Sequence, residues 1–178
     1  MTDRLSPTVF VDRDGTIIED RDYCSDPNDV KIFPGVTEAL RNLKSKGFKL
    51  IIITNQSGIG RGLLTLEQYR TVEAEVLRQL GAGLIDATYF CPDLPGQQSS
   101  CRKPSPGMIV EATRKHQIDL SRSFLVGDKE IDIECGHNAG VRSIRVKTGP
   151  QRDAADSKAD WIAEDLPAAA EIILDTAP

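Results

Sequence analysis

VFVDRDGTIIED, Val9 to Asp20, decides how the rest of the chain is read. Val9 to Val11 has the composition of a short buried strand. It runs directly into three charges, Asp12, Arg13 and Asp14, and then into Gly15-Thr16. A glycine at that point predicts a turn. A buried strand that ends in two carboxylates and a turn fits an open α/β sheet, whose sites form at the carboxyl ends of the strands.

The remaining sequence supports that architecture. Val36 to Lys46 carries apolar residues at helical spacing and stops at Gly47. FKLIIIT, Phe48 to Thr54, is a second buried strand. Thr65 to Leu80 is a helix with Thr65 as N-cap and Gln68 three residues on, the spacing of a capping box. ATYFC (Ala87 to Cys91), SFLVGD (Ser123 to Asp128) and RSIRV (Arg142 to Val146) are further strands. Met108 to His116, Ile131 to Ala139 and Leu166 to Leu174 are further helices. Strands and helices alternating in this way predict a parallel sheet covered on both faces, in one domain spanning residues 1–178. Pro92 to Pro104 is one long irregular stretch, of a length that is often functional. Gly149 to Lys158 is polar and expected to be mobile.

Composition narrows the function. The chain has 178 residues, 39% of them apolar, and a net charge of −5. No basic stripe favours nucleic acid, which argues against a polynucleotide phosphatase. The N-terminus, MTDRLSPTVF, lacks the apolar core of a signal peptide, and the longest apolar run, Leu50 to Ile53, is too short to span a bilayer. The expectation is a cytoplasmic monomer that acts on a small molecule, with no nucleic-acid or membrane partner. His116 and His137 fall in helical stretches and carry no assigned role.

Four strand ends then carry the chemistry. The first ends in Asp12-Arg13-Asp14, the second in Thr54-Asn55-Gln56-Ser57-Gly58, the third leads through the long loop to Arg102-Lys103-Pro104, and the fourth ends in Gly127-Asp128-Lys129 with Asp132 beyond. A parallel sheet brings all four to one edge. Carboxylates beside a hydroxyl, an amide and cations suit phosphoryl transfer. One carboxylate attacks phosphorus and a second moves the proton. Crowded carboxylates need a cation, and oxygen ligands favour Mg²⁺. Thr54 and Lys103 suit the phosphoryl oxygens.

DRDGT, TNQSG, CRKPSPGM and GDKEID, in this order, resemble the four motifs of the haloacid dehalogenase (HAD) phosphatase superfamily. Within it they resemble the branch of heptose-bisphosphate and histidinol-phosphate phosphatases. The resemblance runs from about Val9 to Gly149. It implies Asp12 as nucleophile and Asp14 as general acid and base, with the Asp14 backbone carbonyl also on the metal. It implies Asp128 as the second metal carboxylate, and Thr54, Asn55 and Lys103 on the transferring phosphoryl group. Arg13, Gln56, Arg102 and Lys129 fall at positions for substrate recognition, and Asp20 to Tyr23 matches a loop that touches the sugar. Asp132 is expected behind them, orienting Lys129 or a metal-bound water. The activity implied is a Mg²⁺-dependent hydrolase that removes the 7-phosphate of a heptose 1,7-bisphosphate. Histidinol phosphate is the alternative substrate, and a phosphosugar-binding module the alternative outside catalysis. About twenty residues between Thr16 and Val36 leave no room for an inserted cap domain.

The branch commonly holds a structural zinc before its Arg-Lys-Pro, through a Cys-x-His pair and a Cys-x-Cys pair. Here these read Cys91-Pro92-Asp93 and Ser99-Ser100-Cys101. Cys₂Asp with a serine hydroxyl is a poor set for structural zinc. The expectation is a loop without zinc, with Cys91 and Cys101 as remnants. A disulfide between them is disfavoured in a reducing cytosol.

Overall fold

The computed structural model describes residues 5–151 and 156–176. In chain order the elements are β1 (Thr8–Val11), α1 (Val36–Ser45), β2 (Lys49–Asn55), α2 (Ser57–Gly60), α3 (Leu66–Leu80), β3 (Ala87–Cys91), α4 (Gly107–His116), β4 (Phe124–Gly127), α5 (Glu130–Ala139), β5 (Arg142–Val146), β6 (Trp161–Ala163) and α6 (Leu166–Thr176). All six strands pair in parallel in the order β3-β2-β1-β4-β5-β6. The chain runs outward one way from β1, returns, and runs outward the other way from β4. The carboxyl ends of β1 and β4 therefore flank the switch point, where open sheets of this kind hold their ligands.

Alternation along the strands explains why both faces are covered. Val9, Val11, Leu50 and Ile52 point to one side and pack with Val36, Leu40 and Leu43 of α1, Val72 and Val76 of α3, and Ala169 and Ile173 of α6. Phe10, Ile51 and Ile53 point to the other and meet Met108, Ile109 and Ala112 of α4 and Cys135 of α5. β1 and β2 are apolar on both faces, so each reads as a continuous run and not as an alternating one.

Local chemistry sets the helix ends. Thr65 accepts from the Gln68 backbone N–H at 3.1 Å, and the Gln68 side chain accepts from the Thr65 N–H at 2.8 Å. That reciprocal pair is the capping box expected from the sequence. Two elements escaped the sequence reading. β6 has only three residues, too few to show a period, and α2 is a single turn containing two glycines. Of the polar stretch expected to be mobile, residues 152–155 lie outside the described residues. Among the described residues no helix is long and apolar enough to cross a membrane.

One expectation is corrected. Cys91 and Cys101 form a disulfide, with their Cα atoms 5.6 Å apart. The sequence argument weighed only the redox compartment. The fold ends β3 beside the close of the following loop, which puts the two Cα atoms within bridging distance. Asp93 and Ser99 complete the cluster. The Ser99 hydroxyl donates to Asp93 at 2.7 Å and accepts from the Arg102 backbone N–H at 2.9 Å. A bridged pair offers no thiolate, so in this state a covalent bond closes the loop that ends in Arg102 and Lys103.

Replacing both cysteines by serine should therefore lower stability by about 3 kcal/mol, from the loop-closure entropy returned to the unfolded chain. Urea unfolding in the absence of reductant measures this. Protein purified without added metal should carry far less than one zinc per chain. Stoichiometric zinc by elemental analysis, lost in the double variant, would contradict both expectations.

Candidate active site

The site begins where β1 stops. The Asp12 N–H still donates to Val126 of β4, at 2.9 Å. Immediately beyond, the N–H groups of Thr16, Ile17 and Ile18 all turn back to the Arg13 carbonyl. The turn needs Gly15, which has φ +83°, a conformation unfavourable for residues with a Cβ. A Cβ there would also lie 2.7 Å from Oδ2 of Asp128. Glycine is thus required twice, for the turn and for the approach of Asp128.

The turn sends the two carboxylates of the DRD sequence to different partners. Asp12 is buried, and its Oδ1 accepts from Lys103 Nζ at 2.7 Å. Asp14 accepts two bonds from Arg13, at 3.0 and 3.1 Å, and a third from the Gln56 amide at 2.8 Å. The same Gln56 nitrogen reaches Thr54 Oγ1 at 2.8 Å. Arg13 is itself buried and lies over the ring of Tyr69, 5.5 Å from its centroid. Arg13 and Gln56, candidate substrate residues from the sequence, thus orient Asp14 while also lining the cleft above it.

Lys103 is the centre of the arrangement. It is 2% exposed, and Nζ lies 2.7 Å from Asp12, 2.7 Å from Asp132 and 3.0 Å from the Ile53 carbonyl. Burial alone would lower its pKa, but Asp12 and Asp132 outweigh that and raise it, so the ammonium stays charged. Its backbone is held as well. Asn55 donates to the Lys103 carbonyl at 3.2 Å and accepts from the Lys103 N–H at 3.0 Å. Asn55, expected on the phosphoryl group, therefore has its amide engaged in fixing Lys103. Asp132, expected to serve Lys129 or a metal-bound water, pairs with Lys103, and its other oxygen accepts from the Lys129 backbone N–H at 3.0 Å.

Asp128 has a different environment. It is 1% exposed, and neither carboxylate oxygen has a hydrogen-bond partner among the described residues. Burial, followed by the charges of Asp12 and Asp132, raises its pKa to about 8. Burial likewise raises Asp12 to about 6, although Lys103 pulls the other way. Oxygen atoms of Asp12, Asp128 and Asp132 lie within 4.8 Å of one another. Three carboxylates face one buried ammonium, so the centre is short of positive charge. A hard divalent cation fits this donor set, and two unpartnered buried oxygens on Asp128 are what such an ion requires. Asp14, named with the metal residues from the sequence, keeps its carboxylate outside this group.

Around the buried centre lies a polar cleft of about 250 Å³. Asp14, Asp20, Tyr23, Asn55, Gln56, Arg102 and Lys129 all line it, so the structure gathers the expected substrate residues at one place. Lys129 Nζ pairs with Asp20 at 3.2 Å. Burial opposes the Lys129 charge, but Asp128 and then Asp20 raise its pKa. Arg102 donates to the Asp93 carbonyl at 3.0 Å. Its pKa is lowered by burial and by the neighbouring Arg61. Sequence reasoning missed Tyr69, the platform under Arg13, because an aromatic at helical spacing reads as core. It also missed Arg145, which touches the Asp128 carbonyl at 3.3 Å. Its signal was present: a charge set between two apolar residues, Ile144 and Val146, in a strand of the parallel sheet.

A buried carboxylate on β1, a lysine held against it and a cation-deficient acidic cluster at the sheet's switch point mark the HAD class of hydrolases. A family model described as HAD-hydrolase-like matches residues 100–169. A Helicobacter pylori D-glycero-beta-D-manno-heptose-1,7-bisphosphate 7-phosphatase (strain J99) is 44% identical over 139 residues, 76% of this chain and 79% of that protein. The Escherichia coli K12 enzyme of the same name is 38% identical over 90% of each chain. The crystal structure of a B. bronchiseptica D,D-heptose 1,7-bisphosphate phosphatase, complexed with magnesium and phosphate, superposes with a TM-score of 0.87 at 31% identity. It covers 96% of this chain and 99% of that one. The chain belongs to the heptose-bisphosphate phosphatase family of the HAD superfamily.

Lys103→Met should leave Asp12 and Asp132 buried without their cation. Removing one partner of a buried pair costs about 3–5 kcal/mol. Urea unfolding without divalent ions should show that loss. A variant within 1 kcal/mol of the parent, roughly the level of an exposed pair, would mean that the two carboxylates do not depend on Lys103.

Proposed function

We propose that this chain is a Mg²⁺-dependent phosphatase that removes the 7-phosphate of a D-glycero-D-manno-heptose 1,7-bisphosphate, with Asp12 as nucleophile. The observation that carries the mechanism is the buried Asp12–Lys103 pair at 2.7 Å beside the unpartnered carboxylate of Asp128. Relatives named for this substrate, matched over most of their length, support the choice of sugar. So does a cleft lined by both acidic and cationic side chains, which suit hydroxyls and phosphate oxygens respectively.

Lys103 holds one oxygen of Asp12 and leaves the other to attack phosphorus. The new bond joins that oxygen to phosphorus, and the bond from phosphorus to the sugar oxygen breaks. Asp14, oriented by Arg13 and Gln56, gives its proton to the departing sugar oxygen. Water then attacks the aspartyl phosphate, its proton returns to Asp14, and inorganic phosphate leaves as Asp12 is regenerated. Lys103 and the Thr54 hydroxyl face the charge that develops on the phosphoryl oxygens. Asp12, Asp128 and the Asp14 backbone carbonyl would hold Mg²⁺, which supplies the positive charge that lets a phosphate dianion approach a carboxylate cluster. Lys129 and Arg102 are placed to meet the anionic parts of the substrate, and Asp20 and Tyr23 to meet its hydroxyls.

Phosphate release by the purified protein, with Mg²⁺, on both heptose bisphosphate anomers, histidinol phosphate and fructose 1,6-bisphosphate tests the assignment. A heptose bisphosphate should give the highest kcat/KM, and a preference for histidinol phosphate would replace the substrate. Asp12→Asn should lose turnover by orders of magnitude with its fold intact. Asp14→Asn should lose about 10²–10⁴-fold, the usual contribution of a general acid-base group, with Mg²⁺ binding retained. Near-normal phosphate release from Asp12→Asn would rule out the aspartyl phosphate.

A further inference from the structure

Among the described residues the Asp128 carboxylate has no hydrogen bond to hold it. Its orientation is set by backbone packed on both sides. On one side stands Gly15, where a Cβ would come within 2.7 Å of Oδ2. On the other stands Gly149, where a Cβ would fall 1.8 Å from the same oxygen. No side chain fits between either backbone and the carboxylate. The segment carrying Gly149 is joined to the β1 turn by the Thr148 hydroxyl, which donates to the Gly15 carbonyl at 2.6 Å. Whatever holds that segment therefore holds Asp128.

Arg145 is the residue that does so. It lies on β5, buried, with its guanidinium divided among three partners. Nε donates to the Asp128 carbonyl at 3.3 Å. Nη2 donates to the Gln151 carbonyl at 2.6 Å, two residues beyond Gly149. Nη1 lies 3.5 Å from Glu130. Glu130 in turn accepts from the Ser157 hydroxyl at 2.9 Å and from the Lys158 N–H at 2.8 Å. One planar fork thus ties the backbone of Asp128 to the far end of the segment that packs on its carboxylate.

We propose that Arg145, braced by Glu130, is a positioning residue that fixes the Asp128 carboxylate for the divalent cation. It touches neither substrate nor metal and acts through two backbones. The inference rests on the reading of Asp128 as a metal carboxylate. Partners of this kind typically contribute 10–100-fold to metal affinity. Lysine is a poor substitute, because its one nitrogen cannot span the acceptors that Arg145 reaches with three separate nitrogens of a planar fork.

The test is Mg²⁺ binding by isothermal titration calorimetry on the full chain, with kcat and KM measured at saturating Mg²⁺. Arg145→Met should weaken Mg²⁺ binding by about 10-fold or more. KM for the sugar phosphate should stay near that of the parent once the metal is saturating. Arg145→Lys should be nearly as weak, and it decides the matter if the methionine variant does not fold. Thr148→Val, which removes the tie to Gly15, should weaken Mg²⁺ binding in the same direction. A folded Arg145 variant that is less stable but binds Mg²⁺ within twofold of the parent would reduce Arg145 to a structural residue and overturn the proposal. Asp128→Asn separates the two levels. If it binds Mg²⁺ as tightly as the parent, the reading of Asp128 itself fails. If it loses binding while the Arg145 variants keep it, only the positioning role fails.

Discussion

Lys103 holds the strand ends of this molecule together. Its ammonium meets Asp12 at the end of β1, the Ile53 carbonyl in β2 and Asp132 in α5, while its backbone is clamped by Asn55. It arrives from the loop after β3. One buried cation therefore draws together the products of four strand ends that the sequence spreads over more than a hundred residues. The arrangement requires parallel strands, because only then do all the carboxyl ends fall on one edge. It also requires a loop that closes tightly enough to place Lys103. The Cys91–Cys101 bridge and the Ser99 bonds to Asp93 and Arg102 meet that need.

The same centre is arranged for charge that the protein itself does not provide. Ionised together, Asp12, Asp128 and Asp132 outnumber Lys103 three to one. Burial makes the imbalance costly, because a carboxylate removed from water keeps its charge only with a partner. Asp12 and Asp132 share Lys103. Asp128 has no hydrogen-bond partner among the described residues, and burial raises its pKa to about 8 even with Lys129 and Lys103 pulling the other way. A core built for stability alone would not place a bare carboxylate between two backbones. Its presence is the expected trade of fold stability for a reactive site, in which a group is preorganised for a ligand.

The sheet and the acidic centre were legible in the sequence for a common reason. Buried parallel strands are short apolar runs, and their ends are abrupt changes to charge, as in Val11-Asp12 and Gly127-Asp128. Helix starts were legible where a side chain closes on a backbone, as at Thr65 and Gln68. What was illegible depends on distance in space. Asn55 reads as a phosphate ligand until it is seen returning to the Lys103 backbone. Asp132 reads as a partner for Lys129, and it does hold the Lys129 backbone, but its ion pair with Lys103 shows only in space. The cysteine bridge could not be read from composition, since it depends on where a loop ends relative to β3. β6 carried no period to detect, and Arg145 carried a signal without a partner to interpret it.

The division between buried centre and open rim has a further consequence. Asp12, Thr54 and Lys103, assigned to bond-making, and Asp128, assigned to the metal, are nearly inaccessible. Asp20, Tyr23, Arg102 and Lys129, assigned to recognition, are at least partly exposed, Tyr23 with φ 56°. The one ion pair across the cleft, Asp20–Lys129, is 23% and 32% exposed at its two side chains. Pairs so exposed hold weakly against water and salt. A substrate anion can therefore take Lys129 from Asp20 at little cost, and Asp20 is then released to accept from a sugar hydroxyl. The buried Asp12–Lys103 pair has no such freedom. On the proposed reading, rigidity is concentrated where phosphorus reacts and exchangeable contacts are kept where the sugar is recognised. Between β1 and α1 the chain forms a loop with one short turn at Pro27–Asp29, so on the same reading it falls to these rim side chains to discriminate among sugars.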